Sequence, residues 1–285
     1  MTKRKFAIII LGIITTHMSF AGGGWVNPKG KGFFKVAQWW VISTKHYTDT
    51  GDTDPNVTTG LFNTSIYAEY GISDKVDGVV YLPFFSRAYN NDVVSGTTGM
   101  VLSEGQSLNS IGDADIGIKY GIIRNKKFVL AGSLMLGIPL GVDDGGTDGT
   151  LQTGDGEFNI RPTLDLSWSN SFGNLNTFYT LSLGFNYRTR GFADELRYGL
   201  ELGASFKKFT FIARLLRVES LENQNFTETN AVTVFASNTE YTSYTYELIY
   251  DFNDKFGISA NTGRAFSGRL IFANPTYSVG VHMKL

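Results

Sequence analysis

Apolar and polar residues alternate along most of the chain with a period of two. In residues 158–170, Phe158, Ile160, Pro162, Leu164, Leu166 and Trp168 stand on one side. Asn159, Arg161, Thr163, Asp165 and Ser167 stand on the other. A strand projects successive side chains to opposite faces, so this segment reads as a strand with one oily and one ionic face. The same rhythm recurs over residues 62–72, 76–84, 113–122, 128–138, 179–188, 196–206, 209–215, 244–250, 256–260 and 277–285. With a first strand over 33–45, it predicts about twelve strands, each near the roughly 9–11 residues that cross a bilayer at a tilt. That first strand admits two registers. One turns Gln38 toward lipid; the other exposes Lys35 and Lys45, whose long stems can reach the interface.

The connections alternate as well. Short ones fall at 73–75, 124–127, 170–176, 207–208 and 251–255, and long ones at 48–60, 89–112, 141–157 and 219–239. Residues 191–195 form a shorter member of the long set, and 265–274 lie between the two. Short turns at one end and long loops at the other are the habit of membrane barrels, and an even strand count places both termini at the short-turn end. The expected fold class is therefore all-β: a transmembrane antiparallel up-and-down barrel of about 12 strands. A soluble sandwich also alternates along its strands but does not require long and short connections in turn. On the barrel reading Phe158–Trp168 meets hydrocarbon, and Arg161 and Asp165 meet the lumen.

Composition changes the picture in three ways. Lys3, Arg4 and Lys5, the apolar run 6–14 and the Ser19-Phe20-Ala21 site make residues 1–21 a secretory signal peptide, with 22–285 as the barrel. There is no cysteine, which leaves an exported chain without disulfides and argues against a lipid anchor. A closed barrel needs neither, because its ladder leaves no edge in lipid. Net charge is −1, so nucleic acid is not an expected partner. Export, many glycines and aromatics and near-neutral mean hydropathy together place the chain in the outer membrane of a Gram-negative bacterium.

The candidate lumen-lining residues are Glu69, Asp115, Lys119, Arg161, Asp165, Arg188, Arg190, Arg197, Glu201, Arg214, Glu247 and Arg264, with Asp77 beside them. Both signs occur in similar number. They read either as a paired network bracing the interior or as a polar pore lining. Twelve strands enclose more space than eight, so a channel remains unless something fills it. Residues 22–31, GGGWVNPKGK, are long enough to enter as a plug. Two acidic, glycine-rich loops, 48–56 and 143–157, could hold Ca²⁺ but lack EF-hand spacing and read as solvated. Neither His46 nor His282 sits in a nucleophile–base arrangement, so no catalytic residue, metal site or cofactor is expected.

Apolar residues at every second position back from Leu285 resemble the terminal strand that the barrel-assembly machinery recognises, although Leu replaces the usual final Phe. Residues 67–85, 112–122, 137–141, 153–169 and 277–285 resemble the outer-membrane family described as "meta-pathway of phenol degradation" proteins, transporters distantly akin to fatty-acid and toluene channels. That resemblance implies passage of small apolar or aromatic molecules. A fatty-acid channel's helical hatch would not fit the ten or so residues before the first strand. The expected function is a passive outer-membrane channel for small, hydrophobic or aromatic solutes, in contact with membrane lipids. The alternatives are a non-conducting structural or partner-binding barrel and, more remotely, a barrel hydrolase.

Overall fold

The computed structural model describes residues 22–125, 128–222 and 235–285. The expected signal peptide and most of the expected loop 219–239 lie outside the described residues. The strands are β1 (Gly32–Tyr47), β2 (Thr53–Ser73), β3 (Val76–Asn90), β4 (Val93–Val94), β5 (Val101–Ser103), β6 (Gln106–Ser110), β7 (Ala114–Arg124) and β8 (Phe128–Ile138). They continue with β9 (Asn159–Phe172), β10 (Leu175–Arg188), β11 (Glu195–Phe206), β12 (Phe209–Ser220), β13 (Glu240–Asp251), β14 (Phe256–Arg269), β15 (Ile271–Phe272) and β16 (Thr276–Lys284).

Every neighbour in the main sheet is antiparallel and nearly every one is sequential. The sheet closes where β1 meets β16, from Phe33 opposite Lys284 to Val41 opposite Thr276. β6 and β7 pair the two halves of β3 and act as one stave; β15 and β16 do the same against β1. The result is a closed barrel of 12 staves. β4 and β5 form a small separate hairpin beyond it. Closure gives every stave two partners, the condition for burying backbone in hydrocarbon.

The outer surface carries Val36, Ile66, Ile118, Leu134, Leu164, Leu183, Leu215, Leu248 and Val281, all exposed as they are when a barrel's apolar face awaits lipid. β1 takes the register that turns Gln38 outward, because Lys35 points in and pairs with Glu247 at 2.8 Å. The amide does not stand alone. Thr64 on the next strand donates to Gln38 Oε1 at 2.6 Å, and Gln38 Nε2 donates to the Trp39 carbonyl.

Two local departures matter. The expected loop 48–60 is mostly strand, since β1 and β2 stay paired out to Tyr47 opposite Thr53, and only 48–52 turn. In β3 the register shifts opposite Ser65, and Phe84 and Phe85 both face outward. Such a bulge suits Pro83, which has no N–H to give; its carbonyl accepts from the Gly112 amide at 2.8 Å.

Candidate functional site: a layered barrel interior

The base of the interior is crossed by the segment before β1. The Asn27 amide donates to both carboxylate oxygens of Asp77 on β3 at 3.0 Å, and its side-chain amide adds a third bond. Lys119 Nζ on β7 donates to the Trp25 carbonyl at 3.3 Å. The Gly24 amide donates to Ser167 Oγ on β9 at 2.9 Å, and Ser167 shares a 2.8 Å bond with Thr180 on β10. The Trp25 ring meets Phe178 edge-on, 6.1 Å between centroids. Phe178 finds room because Gly203 lies opposite it; a Cβ there would fall 1.9 Å from the ring. Residues 24–27 thus touch β3, β7, β9 and β10 in turn, a path that runs inside the barrel from its β1 wall to the far one. Asp77, Ser167 and Thr180 are all buried beneath it.

Above this segment lies an ionic belt. Lys119 and Glu69 pair at 3.0 Å, with side chains only 6% and 2% exposed, although β3 stands between their strands. Tyr67 donates its hydroxyl to the same carboxylate. Arg161 pairs with Asp115 at 2.8 Å, and Asp165 accepts from Ser182 Oγ at 2.5 Å. Arg214 bridges Glu201 at 2.6 Å and Glu247 at 2.7 Å, while Lys35 holds the other oxygen of Glu247. Charges this far from bulk water need such partners.

At the long-loop end, Arg188 reaches three carboxylates: Glu157 at 2.9 Å, Glu195 at 3.1 Å and Asp155 at 3.1 Å. The Phe192 ring covers its guanidinium at 4.4 Å. Arg197 takes the second oxygen of Glu195 at 2.9 Å. The loop over 139–158 is pinned from its other side by Asp113, which accepts from the amides of Gly141 and Asp155 at 2.8 Å. Gly154 permits that approach, since a Cβ would meet the Asp113 carboxylate at 2.1 Å. Burial, then the neighbouring Glu157, push the Asp155 carboxyl up to about 7, against the pull of Arg188.

The same loop tucks Leu151 into an apolar cluster with Val41, Leu61, Ala88 and Phe272, which Trp39, Leu108 and Phe235 flank. This oily patch is buried between the loop and the barrel wall inside the mouth, where a membrane barrel is ordinarily polar.

Two of the expected lumen residues belong elsewhere. Arg190 sits on the turn after β10 with φ 54°, pairs with Asp143 at 2.8 Å and is 60% exposed. Arg264 shares its face of β14 with Ile258 and Ala260 and lies opposite the outward Tyr244, with no register shift between them, so it faces out of the barrel. The remaining ten meet the interior contacts described above. Lys35, Asp113, Asp155 and Glu195 were not among the expected residues. Among the described residues no group of three or more His, Asp or Glu gathers as a metal site, the acidic loops included. His282 pairs with Asp251 at 2.8 Å against the Phe33 ring, and His46 packs on Phe272.

No protein-family model and no curated protein sequence matches the chain. Among solved structures it resembles the COG4313 outer membrane channel from Pseudomonas putida F1, with a TM-score of 0.59 at 14% identity over 93% of this chain and 99% of that one. The KdgM porin aligns at a TM-score of 0.48 and 10% identity over 89% and 99%. What this chain shares with the first of these is the barrel fold; its likeness to the phenol-degradation family rests on the quoted segments alone.

Proposed function

We propose that the protein is an outer-membrane channel for passive passage of small hydrophobic or aromatic solutes, with residues 24–27 lodged in its base. The observation that carries this reading is the apolar cluster of Val41, Leu61, Leu151 and Phe272 inside the mouth. Beyond holding the loop, the cluster places apolar surface at the entrance that ions and sugars have no use for. Leu151 closes this cluster in the structure, so an apolar solute meets it by taking the place of Leu151 above the ionic belt. Asp115, Arg161, Asp165, Glu201 and Arg214 then line the path below, braced by the buried Glu69, Lys119 and Glu247. The solved channel of the same fold is consistent with this role. The export signal in residues 1–21 and the apolar outer face support a Gram-negative outer membrane as its location, reached through the barrel-assembly machinery by way of the last strand.

The test is solute entry into liposomes containing the purified protein, with a panel of sugars, amino acids and aromatic acids. Faster entry of the aromatic members than of sugars of equal size supports the reading, and equal entry counts against it. A second reading, a non-conducting barrel within a larger assembly, is favoured by the buried hydrogen bonds that hold residues 24–27 across the base. Stable copurification with a defined assembly, together with no solute entry, would support it.

A further inference from the structure

The outward face of β12–β14 changes character toward its long-loop end. Lower down it carries Phe211, Leu215, Tyr246, Leu248 and Ile258, all exposed and apolar. Higher up, the register sets Arg217 opposite Thr242, Thr242 opposite Ser267, Tyr244 opposite Arg264 and Glu240 opposite Arg269. The register shift at Thr242/Ser243 leaves Phe266 unpaired, so Ser267 and Arg269 stay on the outer face beyond it. Three guanidiniums therefore stand on the outer surface within the width of three strands.

Two of them are neutralised locally, Arg217 by Glu240 and Arg269 by Glu222. Arg264 is not. Its Nε donates to the Ala273 carbonyl at 2.9 Å, which fixes the side chain, and among the described residues no carboxylate lies within salt-bridge distance of it. The Nη donors of this anchored, exposed side chain form a fork suited to an oxyanion.

The level of the patch identifies its ligand. Tyr244 stacks on Phe266 at 6.4 Å beside Arg264, and Tyr277 packs on Trp40 at 5.9 Å on the next two strands round. Aromatic rings gather where headgroups begin. At the same end Phe158 and the outward faces of β9, β10 and β11 offer Ile160, Tyr187 and Tyr198, and the exposed cation beside them, Arg190, is already paired with Asp143. Arg87 on β3 is the comparable charge on the far side, and it is turned toward Asn109.

We propose that this patch binds the phosphate group of an outer-leaflet lipid, with Arg264 as the principal ligand and Arg217, Thr242, Ser267 and Arg269 around it. The site rests on the outer-membrane reading above and is separate from the solute path, since it lies on the opposite face of the wall.

Native mass spectrometry of the detergent-purified full chain tests it, with bis-phosphorylated lipid A, its dephosphorylated form and inorganic phosphate as probes. The phosphorylated lipid is retained and the dephosphorylated one is not. Arg264→Gln weakens retention by about tenfold, in line with losing a charge-assisted contact. Arg264→Lys weakens it less, and Arg87→Gln leaves it intact. Equal retention of the two lipids, or by wild type and Arg264→Gln, overturns the site. Displacement by inorganic phosphate at matched concentration overturns its assignment to a lipid. Vesicle flotation reports insertion independently: a chain that inserts without discriminating phosphate loses only this site, whereas one that fails to insert loses the outer-membrane reading.

Discussion

Asn27 is held by Asp77 through three hydrogen bonds, one residue pair reaching from the chain's leading segment to the wall of β3. Asp77 is fully buried and Asn27 nearly so. Removing the carboxylate in Asp77→Ala leaves two buried donors without acceptors, at about 1–3 kcal/mol for each group left unsatisfied. Amide exchange over residues 24–27 then accelerates by about tenfold or more. Unchanged protection would show that the segment is held by something else.

Leu164 faces outward and is half exposed, while Thr163 beside it faces in. Leu164→Arg costs about 2–4 kcal/mol if the site lies near the bilayer midplane, and Thr163→Arg costs far less. Refolding titrations into lipid vesicles measure both. Equal costs would mean that the assignment of faces on β9 is wrong.

Asp155 gives the long loop a pH dependence. Its carboxyl is raised to about 7 by burial and by Glu157, with Asp113 adding to the effect and Arg188 opposing it. A raised acid is protonated more readily in the docked state. Its contribution is therefore complete below the ordinary carboxylate range and fades as pH climbs through 7. The chain has no cysteine, so Thr150→Cys provides a unique spin-label position in that loop. Label mobility rises between pH 5.5 and pH 8.5, and Asp155→Asn flattens the change. A flat profile in the parent chain would contradict this.

Arg188 serves three carboxylates with a side chain only 6% exposed. Arg188→Gln strands those charges, a loss of about 3–5 kcal/mol for a broken buried pair. The same label at position 150 becomes mobile at every pH, including 5.5. A label that stays immobile would place the loop's hold in the Leu151 cluster instead.

The strands were legible because alternation survives wherever one face meets lipid and the other does not. Phe158–Trp168 in β9 shows it without a slip. Residues 22–31 could be read as long enough to enter the barrel, but not where they dock. Their partners Asp77, Lys119, Ser167 and Thr180 are brought together only by the registers of several separate strands. The choice for Lys35 was open for the same reason: its ion pair with Glu247 spans the interior. Charge in a barrel strand is expected to point inward, yet Arg264 shares the parity of Ile258 and Ala260. The apolar mouth was hidden because Leu151 lies in a run of glycine and aspartate that reads as solvated loop. The first hairpin extends past its expected end because Thr53 to Thr59 pair on against β1 despite the acidic turn between them.

Unitary conductance in planar bilayers, compared between the mature chain and one lacking residues 22–27, bears most directly on a lumen occupied at its base. The shortened chain should conduct more than the parent, because the segment crossing from β3 to β10 is gone. Identical conductance from the two would contradict it.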